Sequence, residues 1–282
     1  MIPQLATADY SFPLLKWQQA LRLAQDLGFA GIDVSLFEGR SHLHPAQTLA
    51  RARQAGNEVR DAVHDAGLKV ADVFGIPGVS FVDLCPNHPD AAVQRQAREY
   101  FERILEFAVA CESRHLSILP GIAFEEESFD QSFSRCADEL GWRCEKAANA
   151  GVKFSVEAHM GSIVQKPELA ALLLSRVPGL TLTLDLGHFI GQGIAQSEVD
   201  PLIGRASHVH ARCGNPTRLQ ASLKNNAIDF ADLMKKLSAA KYSGWFAVEY
   251  VWIDWQHCNE VDNLSETILL RDHLRSIGES LG

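Results

Sequence analysis

The chain alternates short apolar runs with longer amphipathic stretches, and it does so eight times. Strand-like runs fall at Gln4–Thr7, Gly31–Leu36, Lys69–Phe74, His115–Leu119, Val152–Ala158, Leu180–Asp185, Ala206–Ala211 and Trp245–Val251. Their apolar character fits strands of a parallel sheet, which is covered on both faces. Between them the period lengthens to that of a helix. Leu14–Leu27 sets Leu14, Trp17, Leu21, Ala24 and Leu27 on one face and then stops at Gly28. Thr48–Ala66 ends at Gly67, Pro89–Cys111 carries Phe101, Ile104, Leu105 and Ala108, and Phe129–Ala150 ends at Gly151. Pro167 suits the first turn of the next helix, which stops at Val177-Pro178-Gly179. Ala195–Arg205 is shorter. Asp229 reads as the N-cap of Phe230–Ala240, and Asp262 or Asn263 as that of a last helix running to about Ser280. Eight such units with no linker-like stretch predict one (β/α)8 TIM barrel over residues 1–282. A doubly wound sheet is the structural alternative.

Four of the strand-like runs stop on a metal-loving side chain. Phe154-Ser-Val-Glu157, Leu180-Thr-Leu-Thr-Leu-Asp185, Ser207-His-Val-His210 and Trp245-Phe-Ala-Val-Glu249 do so in succession. Barrel active sites sit where strands end, so four successive ends can gather around one ion. Three carboxylates and an imidazole form a hard set that favours Mn²⁺ or Mg²⁺, with Co²⁺ or Zn²⁺ as further fits. Without a cation such carboxylates repel one another and partly protonate.

Each residue also has a plainer reading. Glu157 shares a strand face with Ser155 and Lys153, and would otherwise pair with an Arg or Lys. Asp185 would otherwise cap the following helix. His208 and His210 share a face, and one of two such histidines is often a buried structural imidazole. Glu249 is the strongest candidate, because a carboxylate among Phe246, Ala247, Val248, Tyr250 and Val251 is costly unless paired or metal-bound. His159 and His188 follow two of these ends as second-layer or substrate-binding groups. The long segment after His210 adds Arg212, Arg218 and Gln220, a candidate clamp for the polar end of a substrate.

Composition narrows the field. The 282 residues are 46% hydrophobic and 22% charged, with a formal net charge of −9, so no basic nucleic-acid footprint is expected. The six cysteines are scattered without a CxxC, as in a reduced, cytoplasmic protein. No run approaches the roughly 18 apolar residues of a membrane span, and no secretory leader is evident. Neither a membrane nor a nucleic acid is expected as a partner; homo-oligomerisation is left open.

The sequence resembles the xylose isomerase-like TIM barrels, a group of sugar isomerases, ketose 3-epimerases, inosose-processing enzymes and AP endonucleases. The resemblance rests on Leu27-Gly-Phe-Ala-Gly-Ile-Asp33, Val156-Glu-Ala-His-Met-Gly-Ser162, Thr183-Leu-Asp-Leu-Gly-His188, His208-Val-His210 and Val248-Glu249, in order and spacing. It implies Glu157, Asp185, His210 and Glu249 as metal ligands, Glu157 and Glu249 as the proton-moving pair, and His188 as a substrate contact. The chain departs from the ketose 3-epimerases after His210. Pro216 stands where they carry an Arg, with Arg212 and Arg218 nearby.

The expected function is a divalent-metal-dependent isomerase or epimerase of a sugar, sugar acid or polyol-derived ketone, working through a metal-stabilised enediolate and the Glu pair. Trp252, Trp255, Phe74 and Phe189 are candidates for the walls that exclude water, with Phe189 read mainly as core. A dehydratase of an inosose or dehydroshikimate-like acid is the alternative, with His159 or His188 as the extra acid. An AP endonuclease would need histidines at the ends of strands three and four, which read Val73-Phe-Gly75 and Leu119-Pro-Gly121. A non-catalytic binding barrel is the remaining alternative.

Overall fold

The computed structural model describes residues 4–281 and contains a closed barrel of eight parallel strands in sequence order. These are β1 (Gln4–Ala8), β2 (Gly31–Phe37), β3 (Lys69–Ile76), β4 (His115–Ile118), β5 (Lys153–Glu157), β6 (Thr181–Asp185), β7 (Ala206–Ala211) and β8 (Trp245–Val248). β1 pairs with both β2 and β8, so the sheet has no edge, and the doubly wound alternative is excluded. The helices are α1 (Trp17–Asp26), α2 (Pro45–Ala50), α3 (Ala52–Asp65), α4 (Ala91–Ala110), α5 (Phe129–Asn149), α6 (Pro167–Arg176), α7 (Gly187–Ile190), α8 (Gln196–Ile203), α9 (Phe230–Ala239) and α10 (Asn263–Leu281).

The period-2 alternation of each strand separates two environments. Outward residues such as Ile32, Val34, Leu116, Val156, Leu182, Leu184 and Phe246 pack under the helix layer in the main core. Burying each such side chain contributes roughly 1.5–3 kcal/mol. Inward residues are largely polar. Ser117, Ser155 and Thr183 form a closed triangle of hydroxyls at 2.6–3.0 Å. Across the barrel, Asp33, Asp72, His115 and His208 are buried together. Many barrels fill this space with branched aliphatics; here hydrogen bonds between side chains of different strands do it instead.

Beyond shifts of one or two residues at element ends, the structure departs from the sequence expectation as follows. Helix α1 starts at Trp17 instead of Leu14, whose side chain is exposed. The stretch expected as one helix over Thr48–Ala66 is two, because Arg51 leaves helical geometry at φ −130° and ψ 45°. β8 stops at Val248 instead of running to Val251. The one-turn α7 was not foreseen; it carries His188. Pro167 opens α6 and Asp229 caps α9, accepting from the Asp232 amide at 2.9 Å, as the sequence predicts.

The hydroxyl triangle can be tested directly. Thr183→Val keeps the side-chain shape and deprives Ser117 and Ser155 of a partner. It is expected to cost on the order of 1–3 kcal/mol, read as a lower midpoint in urea unfolding. A parent-like midpoint would mean that the interior hydroxyls carry no net stability.

Candidate active site

The strand register brings the four expected ligands to one rim. Asp185 lies opposite His210 on β7, and His210 lies opposite Ala247 on β8. Glu249 sits one residue beyond β8, yet its amide still donates to the Ala211 carbonyl at 3.0 Å, so it continues the ladder. All four side chains are buried. His210 Nδ1 lies 2.7 Å from Glu157 Oε1 and 3.7 Å from Glu249 Oε1. Arg212, also buried, bonds Asp185 Oδ2 and reaches Glu249 Oε2 at 3.3 Å. Asp185 is therefore engaged by Arg212, while Glu157, His210 and Glu249 face one another.

Two groups complete the rim. Gly187 donates its amide to Asp185 Oδ1 at 2.7 Å. A Cβ there would come 2.9 Å from that oxygen and 3.0 Å from the Leu219 carbonyl, so only glycine allows the approach. The turn swings His188 back over the site, with Nε2 at 3.6 Å from both Glu157 Oε2 and Asp185 Oδ2. Tyr10, just beyond β1, donates its hydroxyl to Glu249 Oε1 at 2.6 Å. The sequence reading missed Tyr10. Its only signal was position, two residues past a strand end on the active face.

Burial dominates the electrostatics, and neighbouring charge decides its sign. Burial opposes ionisation of Glu157, but His188 and His210 hold its carboxyl well below the usual range. Burial raises Glu249, with Glu157 and Asp185 adding to it, and His210 and Arg212 only partly offset this. The surrounding carboxylates raise His210 well above an ordinary histidine, against the effect of burial. Burial and the adjacent His188 push His159 well below it. The surroundings thus displace the two glutamates in opposite directions.

A cavity of about 730 Å³ opens above these groups, bordered by Tyr10, Glu157, His159, His188, Arg212 and Glu249. Phe74, Trp252 and Trp255 form part of its wall, as expected, whereas Phe189 is wholly buried in the main core. His159 stacks on Trp255, with ring centroids 5.2 Å apart. A larger cavity, about 970 Å³, opens at the opposite mouth near Lys69, Lys153 and Trp245 and contains none of the expected ligands. Two members of the expected clamp lie elsewhere. Arg218 is partly exposed and pairs with Glu260 at 3.2 Å. Gln220 is buried, and its amide is used by backbone: it donates to the Val251 and Cys258 carbonyls at 3.0 and 2.7 Å and accepts from the Val251 amide at 2.8 Å. Of the three, only Arg212 borders the cavity. Gln220 instead fixes the segment that carries Trp252 and Trp255.

The donor set fits a divalent ion. Glu157, His210 and Glu249 each offer a ligand atom within 4.8 Å of the others. Glu249 Oε2 is buried and makes no hydrogen bond, facing the Arg212 guanidinium at 3.3 Å, so it keeps lone pairs that a cation can engage.

Comparison with known proteins agrees with this architecture. The chain is 25% identical over 256 residues to the Escherichia coli (strain K12) protein named "Putative L-ribulose-5-phosphate 3-epimerase SgbU", covering 85% of each chain. It is 24% identical over 267 residues to an L-ribulose-5-phosphate 3-epimerase of Shigella sonnei (strain Ss046), covering 92% of this chain and 89% of that one. The solved structure of an L-ribulose 3-epimerase superposes with a TM-score of 0.76 at 16% identity, covering 99% of this chain and 95% of the other. The sequence model of the family described as "Xylose isomerase-like TIM barrel" matches residues 21–275, and the chain belongs to that family.

Proposed function

We propose that this protein is a divalent-metal-dependent epimerase or isomerase of a small sugar or sugar-derived ketone. The observation that carries this reading is the pair of buried glutamates, Glu157 and Glu249, on either side of His210 with opposite displacements of their acidity. The two curated relatives, both named as sugar-phosphate epimerases, support it. Glu157, His210 and Glu249, with Asp185 beside them, are the residues that would hold the ion. When bound, the ion supplies Lewis-acid polarisation of the substrate's carbonyl and adjacent hydroxyl. Manganese or magnesium suits the carboxylate-rich set.

The chain's own groups account for the proton movements. Glu157, held ionised, takes the proton from the carbon beside the carbonyl. Glu249, across His210 from it, is the partner acid that delivers a proton to the opposite face. Arg212 holds a fixed positive charge next to both Asp185 and Glu249, which favours the negative charge that develops on the substrate oxygens. His188 overhangs Glu157, in position to hydrogen-bond a substrate hydroxyl. The aromatic wall of Phe74, Trp252 and Trp255 keeps water from the enediolate. An elimination would need a further acid. His159 is held neutral by burial, and its Nδ1 lies 2.5 Å from the Met160 carbonyl, which disfavours it in that part. Six buried, unpaired thiols suit a reducing compartment such as the cytoplasm. Among the described residues, no helix is long and apolar enough to cross a membrane.

Four outcomes are expected. The parent should bind one Mn²⁺ per chain by titration calorimetry, and replacing Glu157, Asp185, His210 and Glu249 together by Ala should abolish binding. Parent-like affinity in that variant would move the site elsewhere. Glu157→Gln and Glu249→Gln should each lower kcat by about 10² or more. Turnover in D₂O should place deuterium on the reacting carbon, whereas a product free of deuterium would point to a hydride shift. Tyr10→Phe removes a hydrogen bond to a charged group, a loss of roughly 1.5–3 kcal/mol. It should reduce kcat/KM by about tenfold or more while leaving Mn²⁺ bound. Unchanged kinetics would make Tyr10 a packing residue.

A further inference from the structure

Below the ligand rim, the barrel interior holds a second layer of titratable groups that the proposed reaction does not use. Asp33 on β2, Asp72 on β3, His115 on β4 and His208 on β7 are buried there. One half of the layer is a hydrogen-bonded chain. Asp72 Oδ1 lies 2.7 Å from His115 Nδ1, and His115 Nε2 lies 2.7 Å from Ser207 Oγ. Asp33 behaves differently. Its Oδ2 lies 2.8 Å from His208 Nε2 and 3.5 Å from His210 Nε2. Its Oδ1 has no partner, and neither does His210 Nε2 within hydrogen-bond reach.

His210 therefore presents two nitrogens to two environments. Nδ1 faces Glu157 and Glu249, and Nε2 faces Asp33. A neutral imidazole carries one proton, and a nitrogen that ligates a cation cannot keep it. For Nδ1 to ligate, the proton must sit on Nε2, and there it is buried and needs an acceptor. Asp33 Oδ2 is the carboxylate oxygen that faces it.

We propose that Asp33 is a positioning residue for His210: its carboxylate holds the imidazole proton on Nε2 and leaves the Nδ1 lone pair directed at Glu157 and Glu249. This rests on the reading of that trio as a cation site. His208 donates to the same oxygen and so anchors the carboxylate. A small shift of the His210 ring closes the 3.5 Å approach to a full hydrogen bond. The same layer offers one ligand-type atom each from Asp33, Asp72, His208 and His210 within 4.8 Å of one another, so a second ion is the competing account. It is disfavoured because His208 and His115 already pair with the two aspartates, and His210 cannot give Nε2 to one ion while Nδ1 serves another without losing its last proton.

The test is Mn²⁺ titration calorimetry on the full chain, with parent, Asp33→Asn and Asp72→Asn compared. The parent is expected to bind one ion. Asp33→Asn should bind it about 10- to 100-fold more weakly, as loss of such a support does. Asp72→Asn, which removes a buried carboxylate bonded to His115 instead, should bind as the parent does. Should Asp33→Asn fail to fold, ¹⁵N-histidine NMR of the Mg²⁺-loaded parent decides: His210 should be protonated at Nε2 and bare at Nδ1. Parent affinity in Asp33→Asn, or a proton on Nδ1 of the loaded protein, overturns the proposal. Two ions in the parent, with one lost in Asp72→Asn, also overturn it in favour of a second centre. A parent that binds no Mn²⁺ overturns the cation site itself, which separates that failure from the failure of Asp33 alone.

Discussion

Three buried carboxylates at one rim of the barrel set the terms for everything around them. Glu157, Asp185 and Glu249 are shielded from water and close enough to repel one another. An isolated buried charge costs several kcal/mol even after relaxation, so the fold must supply compensation on the spot. It does so with Arg212 and His210, both from the end of β7, and with hydrogen bonds from Tyr10 and the Gly187 amide. The compensation is uneven. Asp185 is tied to Arg212, Glu157 to His210, and Glu249 keeps one oxygen without a hydrogen bond, facing Arg212 at 3.3 Å, and a raised carboxyl. That residual imbalance is where a cation fits and where a proton can be held.

The rest of the barrel interior follows the same logic at lower charge. Polar residues face inward on most strands, and many find a partner from another strand, as in the Ser117, Ser155 and Thr183 triangle. Such a core is rigid only while it is satisfied. The aspartate–histidine pairs below the rim extend it, linking β2, β3, β4 and β7 and placing Asp33 under His210. The hydrogen bonds that satisfy this interior layer thus reach up to the side chain of His210 at the rim.

The cavity wall depends on a different device. After β8 ends at Val248, the chain turns outward through Trp252 and Trp255 without regular strand or helix pairing until a 3₁₀ turn at Trp255–Glu260. Gln220, from the segment after β7, spans Val251 and Cys258 with three hydrogen bonds and holds this excursion in place. A residue that never borders the cavity can therefore shape it, by spending its amide on backbone that would otherwise lack partners.

Much of the fold and of the rim was legible in the sequence, and the reasons are local. Alternation of apolar strands with amphipathic helices gives eight units, and a strand that ends on Glu157, Asp185 or His210 puts that group at the rim whatever the tertiary detail. Glu249 stood out because a carboxylate among apolar neighbours needs a partner. The direction of longer side chains was not legible. Arg212, Arg218 and Gln220 lie within nine residues of one another, yet one borders the cavity, one pairs with Glu260 at the surface and one is buried against backbone. Those fates depend on partners distant in sequence, and spacing along a loop carries no information about them. Tyr10 and Asp33 were missed for the same reason: they face Glu249 and His210, more than 170 residues away, and only closure of the barrel brings them together. The sequence determined which groups reach the rim; the closed barrel decided which of them touch.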